Sequence, residues 1–150
     1  MVFELVFHDK IKNFEEILLE KANHEKRTKG NGDWLDVAER YLAQKERLKL
    51  YPWPEEFNDQ IPEEEFPPVM KHIVRNTTIT NLYRWGIPGR STGNHRILYA
   101  IHNYHKVILV YYFDKQYNGD IQRQDIQPAE ERYLAYCIHN PSLYPIQKGE

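Results

Sequence analysis

The chain is poor in cysteine, in long apolar runs and in net charge, and each shortage narrows what it can be. Cys137 is the only cysteine, so no internal disulfide can form and a small disulfide-stapled secreted scaffold is excluded. Its neighbours Ala135, Tyr136 and Ile138 predict a buried, unreactive thiol. No stretch approaches the roughly 20 apolar residues of a membrane span. The opening segment MVFELVFHDK has too short an apolar run for a secretory leader and carries Glu4 inside it. The cytoplasm is therefore the expected compartment. Residues 86–93, GIPGRSTG, are rich in glycine but lack the Lys-Ser/Thr pair of a phosphate-binding P-loop, and no helix is expected to follow them. His102 and His105 fall on a turn with no cysteine or carboxylate beside them, so neither a metal site nor a cofactor is expected.

The net charge of −2 conceals a strong asymmetry. Residues 1–70 carry 10 Lys and Arg against 16 Asp and Glu, whereas residues 71–125 carry 8 against 3. A basic block inside a near-neutral chain points to an anionic partner. With 150 residues, 41% hydrophobic and 28% charged, the chain is expected to fold as one domain over 1–150. Its 11 tyrosines suit half-buried surfaces, where the ring packs and the hydroxyl stays wet.

Periodicity predicts the elements. Residues 2–7 alternate as a strand, apolar on both faces and so covered on both sides. Asp9 reads as the N-cap of an amphipathic helix over 10–26, with Ile11, Phe14, Ile17 and Leu18 on one stripe. Lys29-Gly30-Asn31-Gly32 is a turn, and Asp33 opens a second helix. Residues 51–68 hold five prolines and an acidic set, Glu55, Glu56, Asp59, Glu63, Glu64 and Glu65. They read as an acidic, proline-rich loop insertion. A short helical turn is expected over 69–74. Three antiparallel strands are expected next: 77–85, 95–101 and 106–113, the last nearly all apolar and hence central. Residues 127–138 read as a C-terminal helix with Pro128 in its first turn. The expected fold is thus α+β: a strand, a helical hairpin, a long loop, a three-stranded antiparallel sheet and a helix.

The basic residues of the sheet region are placed to form a surface. Arg84 ends one strand, Arg90 lies in the glycine-rich loop, Arg96 opens the next strand and Lys115 follows the third. A guanidinium offers phosphate a planar fork of donors. Tyr83, Trp85, Tyr99, Tyr111, Tyr112 and Tyr117 supply rings on which bases can stack. Arginines interleaved with aromatics on a sheet suit RNA. His95 is the histidine placed for proton transfer, although adjacent strand residues point to opposite faces.

Leu82-Tyr83-Arg84-Trp85-Gly86-Ile87-Pro88-Gly89, then Asn94-His95-Arg96-Ile97-Leu98-Tyr99-Ala100-Ile101, then Lys106-Val107-Ile108-Leu109-Val110-Tyr111 together resemble the RelE/ParE superfamily of toxins from bacterial toxin–antitoxin pairs. The local likeness covers about a quarter of the chain, and the order of elements extends it to most of the rest. It implies a RelE-like fold and a metal-independent mRNA endoribonuclease, acting with the ribosome by attack of a ribose 2′-hydroxyl on the adjacent phosphate. Arg96 would then stabilise the phosphate, with Arg84, Lys115 and Tyr117 completing the catalytic set. Tyr83, Arg90, His95 and Arg123 would contact RNA. A cognate antitoxin protein is the implied partner, alongside mRNA and the ribosome, and no membrane. The alternatives on the same fold are a ParE-like inhibitor of DNA gyrase, which needs no catalytic set, and a non-toxic binding module.

Overall fold

The computed structural model describes residues 2–61 and 68–149. Strand β1 (Glu4–Phe7) leads directly into helix α1 (Asp9–Thr28). That helix buries Ile11, Phe14, Leu18 and Ala22, one stripe at helical spacing. Its N-cap is His8 rather than Asp9: Nδ1 of His8 accepts from the Lys10 N–H at 3.2 Å. Asp9 instead occupies the first turn, where a carboxylate faces the positive end of the helix dipole. Helix α2 (Asp33–Leu48) returns antiparallel to α1 and buries Val37, Ala38, Tyr41, Gln44 and Leu48.

Residues 51–68 depart from the loop that composition suggests. They contain a short helix, α3 (Pro54–Asp59), with proline at its first position, where a missing N–H costs nothing. Phe57 is fully buried and fixes α3 to the hydrophobic core. Asn58 then pins the next segment, donating to the Met70 carbonyl at 2.9 Å and accepting from the Met70 N–H at 3.2 Å. That next segment is strand β2 (Met70–His72), not a helical turn. Three residues are too few for alternation to reveal; pairing with the neighbouring strand decides their state. The remaining acidic residues Glu63, Glu64 and Glu65 lie outside the described residues.

The three expected antiparallel strands are present as β3 (Leu82–Pro88), β4 (Asn94–His102) and β5 (Lys106–Asp114). The sheet nevertheless has five strands, in the order β1-β5-β4-β3-β2. β1 joins parallel to β5 and β2 joins antiparallel to β3, both long-range pairings. β3 begins at Leu82 rather than Thr77. Residues 77 and 78 are held by Glu130, and Ile79 bridges to Gln147 of the C-terminal tail. Helix α4 (Arg123–His139) starts four residues earlier than expected and keeps Pro128 inside it.

The sheet has a helical layer on each face. The α1–α2 hairpin and α3 cover Trp85, Ile87, Ile97, Tyr99, Val107 and Leu109. On the other face α4 lays Ile126, Ala129 and Tyr133 over Leu82, Leu98, Ala100, Ile108 and Val110. A bulge sits on β5: Leu98 pairs with Tyr111 and Tyr99 with Leu109, so Val110 is the extra residue. It resets the alternation, sending Tyr112 to the hairpin side and Phe113 to the α4 side. β1 is covered on both faces as expected, Leu5 and Phe7 by the hairpin layer and Val6 by the α4 layer. Cys137 is half-buried rather than buried, and burial pushes its thiol pKa up, which disfavours the thiolate. No helix among the described residues is long and apolar enough to cross a membrane.

Candidate functional site

Strand alternation places Arg84 and Arg96 on the α4 side of the sheet, in the rows of Leu82 and Leu98 but beyond the reach of the helix. The register sets Gly86 directly opposite Arg96, with Arg84 two residues before Gly86 on the same face. A Cβ at Gly86 would stand 2.7 Å from Nη1 of Arg84 and 3.2 Å from Nη1 of Arg96. Glycine here makes room for two guanidinium groups to approach each other. Lys71 lies opposite Arg84 on β2, and Lys115 enters from the end of β5. Together with Ile73, Ile121 and Asp120 they line a pocket of ≈ 520 Å³.

The pocket is predominantly cationic, lined by Lys71, Arg75, Arg84, Arg96 and Lys115 against Asp120. None of the ion pairs among the described residues includes Arg84, Arg96 or Lys115. Asp120, the one acidic residue of the lining, is 3.1 Å from Arg75, which also lines the pocket. Burial, with Arg96 beside it, brings the Arg84 pKa down to about 10. Burial also lowers Arg96, against a smaller opposing effect of Tyr117. Lys115 is only 8% exposed, and burial followed by repulsion from Arg96 and Arg84 lowers its pKa, against a smaller opposing effect of Asp120.

Two cations of the set are held in position. Arg96 Nη1 donates to Asn94 Oδ1 at 2.9 Å and to the His95 carbonyl at 3.0 Å, so its other donors stay available. Lys115 Nζ donates to the Tyr117 carbonyl at 2.8 Å and lies 4.8 Å from the Tyr117 ring centroid. The Tyr117 hydroxyl is turned away: it donates to Asp125 and accepts from the Gln122 N–H at 3.1 Å.

Arg84, Arg96 and Lys115, singled out from sequence, thus come together, and Tyr117 adjoins them through its ring. The four residues assigned to RNA contact do not join this cluster. His95 is buried on the opposite face, its Nδ1 2.7 Å from the Tyr112 hydroxyl and its Nε2 2.8 Å from the Thr92 hydroxyl. Burial lowers its pKa. Tyr83 also faces the hairpin side, stacked between His72 and Tyr99. Arg123 is tied to the buried Glu130 at 2.7 Å. Arg90 stands in the β3–β4 loop, strongly exposed and 4.0 Å from Asp33.

Lys71 and Gly86 were not legible as site residues. Lys71 lies in β2, whose three residues carry no strand pattern of their own, and Gly86 reads as loop because Pro88 and Gly89 follow it closely. The signal that could have found Gly86 is its position one residue after Arg84-Trp85 in a β-rich run, where glycine commonly marks close approach.

Fold and pocket define the class: a mixed five-stranded α+β domain with a cation-lined pocket on the sheet face that α4 leaves open. No protein-family model, curated protein or solved structure matches this chain.

Proposed function

We propose that this protein is a toxin-type endoribonuclease that seats an RNA phosphodiester between Arg84 and Arg96, as the likeness to RelE-type toxins implies. The observation that carries this reading is the convergence of Arg84, Arg96 and Lys115, none of which forms an ion pair among the described residues. Gathering like charges in a half-buried pocket costs stability, and a bound phosphate would offset that cost. Two guanidinium groups on a phosphodiester stabilise the charge that builds on its oxygens during in-line attack.

In the proposed reaction the ribose 2′-oxygen bonds to phosphorus and the bond to the 5′-oxygen breaks. The products are a 2′,3′-cyclic phosphate and a free 5′-hydroxyl. Lys115, whose ammonium is already destabilised, gives its proton to the departing 5′-oxygen, and the 2′-hydroxyl proton passes to water. The same reading makes mRNA on the ribosome the substrate and a cognate antitoxin the protein partner.

Binding without cleavage is the second reading. It is favoured by the engaged Tyr117 hydroxyl and by the scarcity of bases in the pocket: His72 borders it, but its ring stacks on Tyr83 at 4.7 Å on the other face. Inducing the wild type and Arg96→Ala in a bacterial host, with mRNA ends mapped by primer extension, separates the readings. New ends with the wild type, absent with a folded Arg96→Ala, support cleavage at this site. Growth arrest without new ends supports a binding toxin, and no arrest leaves a binding module.

A further inference from the structure

A second cleft, of ≈ 720 Å³, adjoins the pocket and shares Lys115 with it. Its size lies within the roughly 300–1,000 Å³ typical of small-molecule sites. Its walls are the β3–β4 loop, including Arg90, and the end of β5 with the segment after it, including Asp114, Gln116 and Asn118. The lining is polar where the first pocket is cationic.

The β3–β4 loop is a braced structure that carries an exposed charge at its tip. Ser91 donates to Asp33 from both its N–H and its hydroxyl. Thr92 donates to the Gly89 carbonyl at 2.8 Å and meets His95 Nε2 at 2.8 Å, which ties the loop to the sheet. A Cβ at Gly89 would lie 2.5 Å from the Gly93 carbonyl oxygen, so the turn requires glycine. At its tip Arg90 adopts φ +53°, a left-handed conformation that a long side chain rarely takes. Its guanidinium side chain is 78% exposed and reaches Asp33 only at 4.0 Å. A strained residue held by a rigid loop, with its charge projected into solvent, is a common arrangement at ligand sites.

The cleft floor also holds a partly unused acceptor. Asp114 Oδ1 accepts from the Asn94 N–H at 2.8 Å and from the Gln116 side chain. Oδ2 accepts no hydrogen bond among the described residues, and Gly93 leaves it uncovered: a Cβ there would lie 2.8 Å away. A free carboxylate oxygen repels phosphate but accepts from the exocyclic amine of adenine or cytosine.

We infer that the cleft is the subsite for the nucleotide next to the phosphate held by Arg84, Arg96 and Lys115, with Arg90 binding the following phosphate of a single strand. The inference rests on the phosphodiester reading of the first pocket and deepens it: the substrate is a strand of several nucleotides running from that pocket over Lys115 to the loop. Asp114 and the neighbouring amides of Gln116 and Asn118 face its base, and they favour bases that carry an amino group.

Fluorescence anisotropy with 2′-O-methyl oligoadenylates of two and of six nucleotides tests this, because the methyl group blocks cleavage. Arg96→Ala is expected to weaken both lengths about tenfold or more. Arg90→Asn, which tolerates positive φ, is expected to leave the dinucleotide unchanged. It should weaken the hexanucleotide about fivefold and lower its salt slope by about 0.7, the value of one phosphate contact on a single strand. Arg90→Lys should restore most of the loss. If Arg96→Ala weakens both lengths while Arg90→Asn binds the hexanucleotide as the wild type does, the strand path is overturned and the phosphate pocket stands. Equal weakening of both lengths by Arg90→Asn also overturns the path. Binding of both lengths unaffected by Arg96→Ala overturns the pocket reading and the path with it. Unchanged thermal unfolding of each variant confirms that the comparison is between folded proteins.

Discussion

Arg84 and Arg96 sit on adjacent strands with their guanidinium groups over Gly86, close enough that a methyl group there would contact both. The contact would fall on the ends of flexible side chains, and Gly86 carries no left-handed φ. Gly86→Ala should therefore fold normally, with a melting temperature within a few degrees of the wild type. It should displace both arginines and weaken oligonucleotide binding about tenfold, or about 1.4 kcal/mol. Calorimetric titration alongside thermal unfolding checks both halves of this expectation.

Arg84 should be a residue that function keeps at the expense of stability. Its folded-state pKa of about 10 lies below the ordinary arginine value because burial and Arg96 disfavour its charge. The penalty is fully present at neutral pH and fades only as pH rises above about 10. Arg84→Met removes it while keeping most of the packing volume. The variant is expected to be more stable by about 1 kcal/mol, raising the melting temperature by about 2–4 °C, and to lose oligonucleotide binding. A lower melting temperature would show that the side chain contributes to the fold.

Glu130 should govern acid stability. It is 3% exposed and ties α4 to the segment before β3 through Thr77, the Thr78 N–H and hydroxyl, and Arg123. Burial opposes its ionisation, but the hydrogen bonds from Arg123, Thr77 and Thr78 outweigh burial and hold its pKa at about 2. The folded value is below the unfolded one, so its contribution is complete above about pH 4.5 and is lost as pH falls towards 2. Glu130→Ala should cost about 3 kcal/mol at pH 7 in urea unfolding, with a much smaller difference from the wild type near pH 2.5. An equal difference at both pH values would contradict this.

The sequence made the site more legible than the frame around it. Arg84, Arg96 and Lys115 could be brought together because period-2 alternation and two short connections fix the faces and ends of β3, β4 and β5. β1 and β2 were not legible as sheet members, because their partners lie about 100 and about a dozen residues away and no local pattern encodes such pairing. Alternation also forbids His95 from sharing a face with Arg96, and the structure has it buried on the hairpin side. Residues 51–61 looked like a loop because proline and acidic residues dominate them. Phe57, one buried ring in α3, anchors the segment all the same. The engagement of Arg123 by Glu130 and of Tyr117 by Asp125 depends on where α4 begins, and Pro128 hid that start.

If Lys115 donates the proton to the leaving oxygen, it must be protonated to act, and its pKa lies below the ordinary lysine value of 10.5. The rate should then fall on an alkaline limb below pH 10.5. In Lys115→Arg, which keeps the charge but titrates far higher, that limb should move beyond the accessible range and the plateau rate should drop about 10- to 100-fold. A limb unmoved in Lys115→Arg would assign it to another group.

The chemical nature of the cut ends tests the central claim most directly. Purified protein, with ribosomes present, is incubated with 5′-labelled mRNA and with the same RNA carrying 2′-O-methyl groups, and the new 3′ ends are identified by mass spectrometry. The account predicts 2′,3′-cyclic phosphate ends from the unmodified RNA, none from the methylated RNA, and none from either with Arg96→Ala. Intact RNA after incubation with folded wild-type protein, or ends that form equally on the methylated RNA, would contradict it.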